Sequence, residues 1–68
     1  MTFTLTIKCD NAAFTGVDAE GQENLYPGPE LARILEKLAS QVENAEPTGD
    51  SWRILDFNGN KVGEARLE

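Results

Sequence analysis

Apolar and polar residues alternate without a break at the start of the chain. Phe3, Leu5 and Ile7 fall on one side, and Thr2, Thr4, Thr6 and Lys8 on the other. A period of two, rich in Thr and β-branched residues, predicts a strand with one buried face. The next apolar residues, Ala12, Ala13 and Phe14, follow an Asp10-Asn11 pair that can turn the chain. A two-residue loop there sets Ile7 opposite Phe14 in a second strand over residues 12–17; the alternative is that Phe14 plugs the core from a loop. From residue 29 the period changes. Leu31, Ile34, Leu35, Leu38 and Val42 recur at i, i+3, i+4, i+7 and i+11, which predicts an amphipathic helix over residues 29–45. Pro29 suits a first helical position, because its missing N–H has no helical partner there. Glu30 lies in the first turn, where the helix dipole favours an anion. Pro47 cannot continue the helix.

Residues 51–67 read as a hairpin. Asn58-Gly59 between apolar runs predicts a type I′ turn, in which both central residues take positive φ. A two-residue loop then pairs Asp56 with Lys61 and Arg53 with Glu64, both of opposite charge. The same register groups Trp52, Ile54, Ala65 and Leu67 on one face and Leu55, Phe57 and Val62 on the other. Neither face is purely polar, and a bulge at the turn would re-aim Phe57. The elements predict an α+β fold, with a single helix packed on a small, mainly antiparallel sheet. The order is β-α-β-β, or ββ-α-ββ if residues 12–17 pair. A two-layer domain leaves one sheet side open, so Leu55, Phe57 and Val62 form a candidate homodimer face.

Length and composition narrow the function. Sixty-eight residues allow one domain and one core. A lone cysteine, Cys9, forms no internal disulfide and fits a reducing cytosol. The opening MTFTLTIKCD has no basic start and no long apolar run, so no signal peptide is expected, and no stretch is long and apolar enough for a membrane span. With no His, the chain builds no Ser-His-Asp or Cys-His arrangement and none of the usual His-containing zinc sites. No catalytic residue, cofactor or metal is therefore expected. Twelve acids against six bases oppose direct contact with nucleic acid or anionic membranes and favour a basic protein surface.

Three motifs bear on chemistry. Asp56, Asn58 and Asn60 resemble the start of a calcium loop, but Lys61 stands where that loop needs Gly and Leu67 where it needs Glu. Cys9 lacks a base to activate it and reads as a small buried hydrophobe. Residues 15–28 show no period and read as a loop broken by Gly16, Gly21, Pro27 and Gly28. No basic residue occurs between Cys9 and Ala32, while Asp10, Asp18, Glu20, Glu23 and Glu30 do. A Tyr rimmed by carboxylates is what a binder of basic grooves presents, so Asp18, Glu20, Glu23, Leu25 and Tyr26 are the candidate partner-binding residues.

The residues DNAAF (Asp10 to Phe14), ELARIL followed by LA (Glu30 to Ala39) and DFNGNKVG (Asp56 to Gly63) together resemble a family of small acidic proteins of bacteriophages and prophages. These motifs spell strand, helix and hairpin, so the resemblance implies a fold and carries over no site residue. Residues 15–28 depart from the family pattern as an extra loop. The resemblance implies a cytoplasmic protein of the bacterial host cell, and by profile it is similar to anti-CRISPR-type inhibitors that occupy basic nucleic-acid grooves. The expectation is thus a non-enzymatic interaction module that binds a host protein or complex through an acidic loop. The alternative is a small homodimeric accessory domain associating through its open sheet face.

Overall fold

The computed structural model describes residues 1–47 and 49–68. Its elements in chain order are β1 (Phe3–Ile7), a 3-10 turn (Ala12–Phe14), β2 (Thr15–Val17), β3 (Glu23–Leu25), α1 (Gly28–Val42), β4 (Asp50–Leu55) and β5 (Lys61–Leu67). The fold is α+β. The strands make two antiparallel sheets, one ordered β1-β5-β4 and the other the hairpin β2-β3.

Alternation in β1 lands as its sequence requires. Leu5 and Ile7 pack against the core, while Thr4 and Thr6 are exposed. On the inner side of the sheet, Leu5, Ala65 and Trp52 form one cross-strand row, and Ile7, Gly63 and Ile54 form the next. Gly63 has a steric reason to be glycine. A Cβ there would collide with the backbone oxygen of Thr6, so a side chain would push β1 off β5. Phe3 and Trp52 stack at a tilt, with ring centroids 6.2 Å apart.

The helix ends earlier than its periodicity predicts. It closes at Val42, and residues 43–45 continue as turns, Asn44 N–H donating to Gln41 O and Ala45 N–H to Val42 O. Ile34 and Leu38 are buried and Leu31 and Val42 pack at their side, but Leu35 is 46% exposed. A single helix over a three-stranded sheet covers a narrower stripe than the sequence offers.

Three sequence expectations change here. Residues 12–14 do not pair with β1. They form a 3-10 turn that drives Phe14 to complete burial, and residues 15–17 pair with Glu23–Leu25 instead. Asn11 starts that turn by accepting the Ala13 N–H on its side-chain oxygen at 2.9 Å, so the Asp10-Asn11 pair caps rather than reverses the chain. The second change is the 51–67 hairpin turn. Only Gly59 takes positive φ (+85°), and the loop is a type I turn closed by a left-handed glycine, not a type I′ turn. The register keeps Arg53 opposite Glu64 but shifts at Ile54/Leu55, so Leu55 faces Lys61. Asp56 therefore never pairs with Lys61, whose ammonium lies 3.1 Å from Glu64.

The third change follows from that bulge. Val62 loses Leu55 as its cross-strand neighbour, is 8% exposed, and belongs to the buried cluster with Phe14, Ile34, Leu38, Ile54 and Ala65. It takes no part in an open apolar face. Leu55 and Phe57 remain exposed, but the outer rows of the sheet are polar: Thr4, Arg66 and Ser51, then Thr6, Glu64 and Arg53. Of the three residues of the candidate dimer face, Leu55 and Phe57 are exposed and Val62 is buried.

Candidate functional site

The acidic segment is a built hairpin. β2 and β3 pair Thr15 with Leu25, Gly16 with Asn24, and Val17 with Glu23. Its tip is organised by Asp18. One carboxylate oxygen accepts the N–H groups of Glu20 (3.0 Å) and Gln22 (2.9 Å), and the other accepts the Asn24 side-chain amide at 2.7 Å. The backbone closes through Asp18 N–H to Gln22 O and Gly21 N–H to Asp18 O, with Gly21 at φ +79°. An Asp whose side chain bonds the N–H groups two and four residues on is a self-sufficient turn. The signal was present in the sequence as Asp18-x-x-Gly21, the same spacing as Asp56-x-x-Gly59.

The hairpin sorts the predicted partner-binding residues by face. Thr15, Val17, Glu23 and Leu25 share one face, since cross-strand partners point the same way. Glu23 is held there by the Thr15 hydroxyl at 2.7 Å. Val17 is 72% and Leu25 61% exposed, so two apolar side chains flank a carboxylate in solvent. Tyr26 lies on the other face. Its ring passes over Gly16, where an added Cβ would meet Tyr26 Cβ at 3.2 Å, and its N–H bonds Phe14 O at 2.7 Å. The ring is still 64% exposed. Leu25 and Tyr26 therefore do not form one anchor: strand alternation separates them. Val17, which composition did not single out, joins Leu25 instead. Asp18 is exposed, yet its acceptors serve the turn. Glu20 is the acid at the tip whose carboxylate stays out of this network.

The hairpin projects. Its strands pair with each other, and at its base Tyr26 N–H donates to Phe14 O while the Thr15 N–H and hydroxyl donate to Ala12 O. The molecule measures 50 × 19 × 16 Å, with a radius of gyration of 14.1 Å. A compact chain of this length would have about 11 Å.

A second polar cluster is buried beneath the other hairpin. Asp56, 4% exposed, accepts the N–H groups of Asn58 and Asn60 on one oxygen, each at 2.9 Å. Its other oxygen accepts the side-chain amides of Asn11 (2.8 Å) and Asn60 (3.3 Å). Glu30, 5% exposed, is gripped by Arg33 and accepts the Phe57 N–H at 2.8 Å. Arg33 also donates to Leu55 O at 3.2 Å. The motifs DNAAF, ELARIL and DFNGNKVG thus converge on one network that ties the 3-10 turn, the helix start and the hairpin tip together. Burial alone would raise the Asp56 pKa, but the donors from Asn60, Asn11 and Asn58 outweigh it and hold it below the usual carboxylate range. The Arg33 hydrogen bond lowers that of Glu30 despite burial, and the Phe57 N–H adds to it. Arg33 is raised in turn by its bond to Glu30.

This cluster is structural. Both Asp56 oxygens are filled by N–H donors, which leaves them no lone pair aimed at a cation. Among the described residues no group of three or more His, Cys, Asp or Glu side chains is placed to hold a metal, and no buried side-chain N or O atom lacks a partner. Cys9 is half-buried against the core, its thiol 3.7 Å from Ile7 O. A shallow, open depression of about 630 Å³ lies along β1 and β5, lined in part by Thr4, Thr6, Lys8, Lys61, Glu64 and Arg66. Glu64 is held below the ordinary carboxylate range by its hydrogen bond from Lys61. Three of the six basic residues, Lys8, Lys61 and Arg66, line this depression. Among the described residues no helix is long and apolar enough to cross a membrane.

No family model, curated protein or solved structure matches the chain.

Proposed function

We propose that the protein is a non-enzymatic interaction module that presents its acidic hairpin to a basic surface on a host protein or complex. The observation that carries this reading is the hairpin itself. Over residues 10–32 the chain has no base, and Val17, Glu20, Glu23, Leu25 and Tyr26 are exposed on a two-stranded hairpin. Carboxylates steer an approach to a basic groove, and the apolar side chains beside them supply the contact that slows release. A basic groove of that kind is what holds nucleic acid, so the bound state excludes nucleic acid from it. Together with the resemblance to phage and prophage proteins, this supports an inhibitor of a host nucleic-acid-binding complex, acting in the bacterial cytoplasm as an anti-defence protein.

The test is affinity capture from a bacterial lysate at low and high salt, with competing nucleic acid. Glu20→Lys with Glu23→Lys should reduce capture about tenfold or more at low salt and flatten its salt dependence. Val17→Ser with Leu25→Ser should shorten the complex lifetime while leaving the salt slope in place. Capture that survives both pairs unchanged, or that nucleic acid fails to displace, overturns the reading. Asp18 is kept wild type, because reversing it would dismantle the turn.

A further inference from the structure

We infer that β1 is a pairing edge for a second copy of this chain, joined antiparallel about Leu5 into a six-stranded sheet. β1 is an outer strand of the sheet. Thr2 and Glu68 exchange both backbone hydrogen bonds, and Lys8 N–H donates to Val62 O. In an antiparallel ladder such pairs alternate, so Thr2, Thr4, Thr6 and Lys8 aim their backbone groups at β5. Phe3, Leu5 and Ile7 aim theirs the other way, where among the described residues the one donor is the weak Cys9 thiol at Ile7 O. Three consecutive outward N–H and C=O sets make a template for another strand.

The side chains decide which strand fits. A twofold axis at Leu5 sets Leu5 against its own copy and Phe3 against Ile7 of the second copy, so all three outward residues exchange both hydrogen bonds. Phe3 is 46% exposed and Leu5 and Ile7 are partly buried, so the inner row of the joint is apolar. On the outer row Thr4 meets Thr6, a favourable cross-strand pair. Lys8 meets Thr2, so no like charges face each other. Residues 1–9 hold no acid in a chain of net charge −6, which makes this edge the place where two copies approach with least repulsion.

The opposite edge of the sheet is guarded. By the same alternation β4 aims Ser51, Arg53 and Leu55 outward, and Leu55 O is taken by Arg33. Self-pairing there about Arg53 would place two guanidinium groups face to face.

The experiment is sedimentation equilibrium of the full chain over a range of concentrations, with backbone amide exchange measured alongside. The expected result is a mass rising from 7.5 kDa to twice that value, with the Phe3, Leu5 and Ile7 amides becoming slower to exchange as dimer forms. Thr4→Lys with Thr6→Lys puts cations opposite each other across the joint without touching the core, and should weaken the dimer about tenfold or more. Thr4→Glu with Thr6→Lys puts opposite charges there and should restore it. A 7.5 kDa mass at every concentration, a dimer indifferent to the lysine pair, or protection absent from the three amides overturns the inference. None of these outcomes bears on capture by the acidic hairpin, which is read on different residues.

Discussion

The two hairpin tips carry one device in two settings. Asp18 and Asp56 each accept the N–H groups two and four residues on, each close a type I turn on a glycine of positive φ, and each take a side-chain amide on the second oxygen. What differs is the surroundings. Asp18 is in solvent, and its turn serves only its own hairpin. Asp56 is buried, and Asn11, 45 residues away, completes its shell. Local turn chemistry closes a hairpin either way. Burial converts the same carboxylate into the joint between three segments, because a carboxylate withdrawn from water must find its donors in the protein.

The comparison breaks first at the aspartates. Asp56→Ala removes the shared acceptor of the Asn11 amide and two backbone N–H groups and leaves a gap at a buried position, and should lower the melting temperature by on the order of 10 °C or prevent folding. Asp18→Ala, measured in the same thermal scans, should cost about 0.5–1 kcal/mol, since water replaces the lost bonds. Equal losses would show that burial adds nothing to the motif.

Acid titration is the next way to sharpen it. The folded-state pKa values of Asp56 and Glu30 are depressed, so their contribution is complete above the ordinary carboxylate range and is lost as pH falls through it toward the lower folded-state values. Urea midpoints should be level from neutral pH down to about 5 and then decline progressively below about 4. In Asp56→Asn or Glu30→Gln, if folded, the decline should be shallower. A wild-type profile that is flat to about pH 2 would remove both carboxylates from the stability account.

The smallest effects should be the most alike. Gly21→Ala and Gly59→Ala meet no neighbouring atoms within 4 Å, so each should lose only the cost of an L side chain at positive φ, about 1 kcal/mol. Chemical denaturation of the two variants should agree closely. A much larger loss at Gly59 would mean that its turn is strained by the packing around Asp56.

Legibility divided along the same line. The β1 alternation, the stripe Leu31–Ile34–Leu38–Val42 and the Arg53–Glu64 register were readable, because each is a period or a short-range pairing. The hairpin of residues 15–25 was not read, since strands of three residues are too short to show a period. Its turn was legible only as the repeated Asp-x-x-Gly spacing. The burial of Val62 was not legible, because the one-residue register shift at Ile54/Leu55 that takes Leu55 from opposite it leaves no mark in composition. Among the acids, sequence placed Glu30 and Asp18 in one charged segment. Folding gave the first to Arg33 and the second to its own turn, and left Glu20 at the tip.

By itself, the order of residues determined the local pieces: a strand with one apolar side, a helix bounded by prolines, a hairpin around Asn58-Gly59, and an acidic stretch with no base. Those follow from interactions over a few residues, where periodicity, φ preference and side-chain-to-backbone bonding act. Tertiary structure alone decided which pieces meet. It buried Asp56 against Asn11, closed Val62 into the core, required Gly63 where β1 crosses close to β5, and placed β1 at the outside of its sheet. Those outcomes depend on distant segments competing for the same small core, and on donors and acceptors that find each other only once water has been expelled.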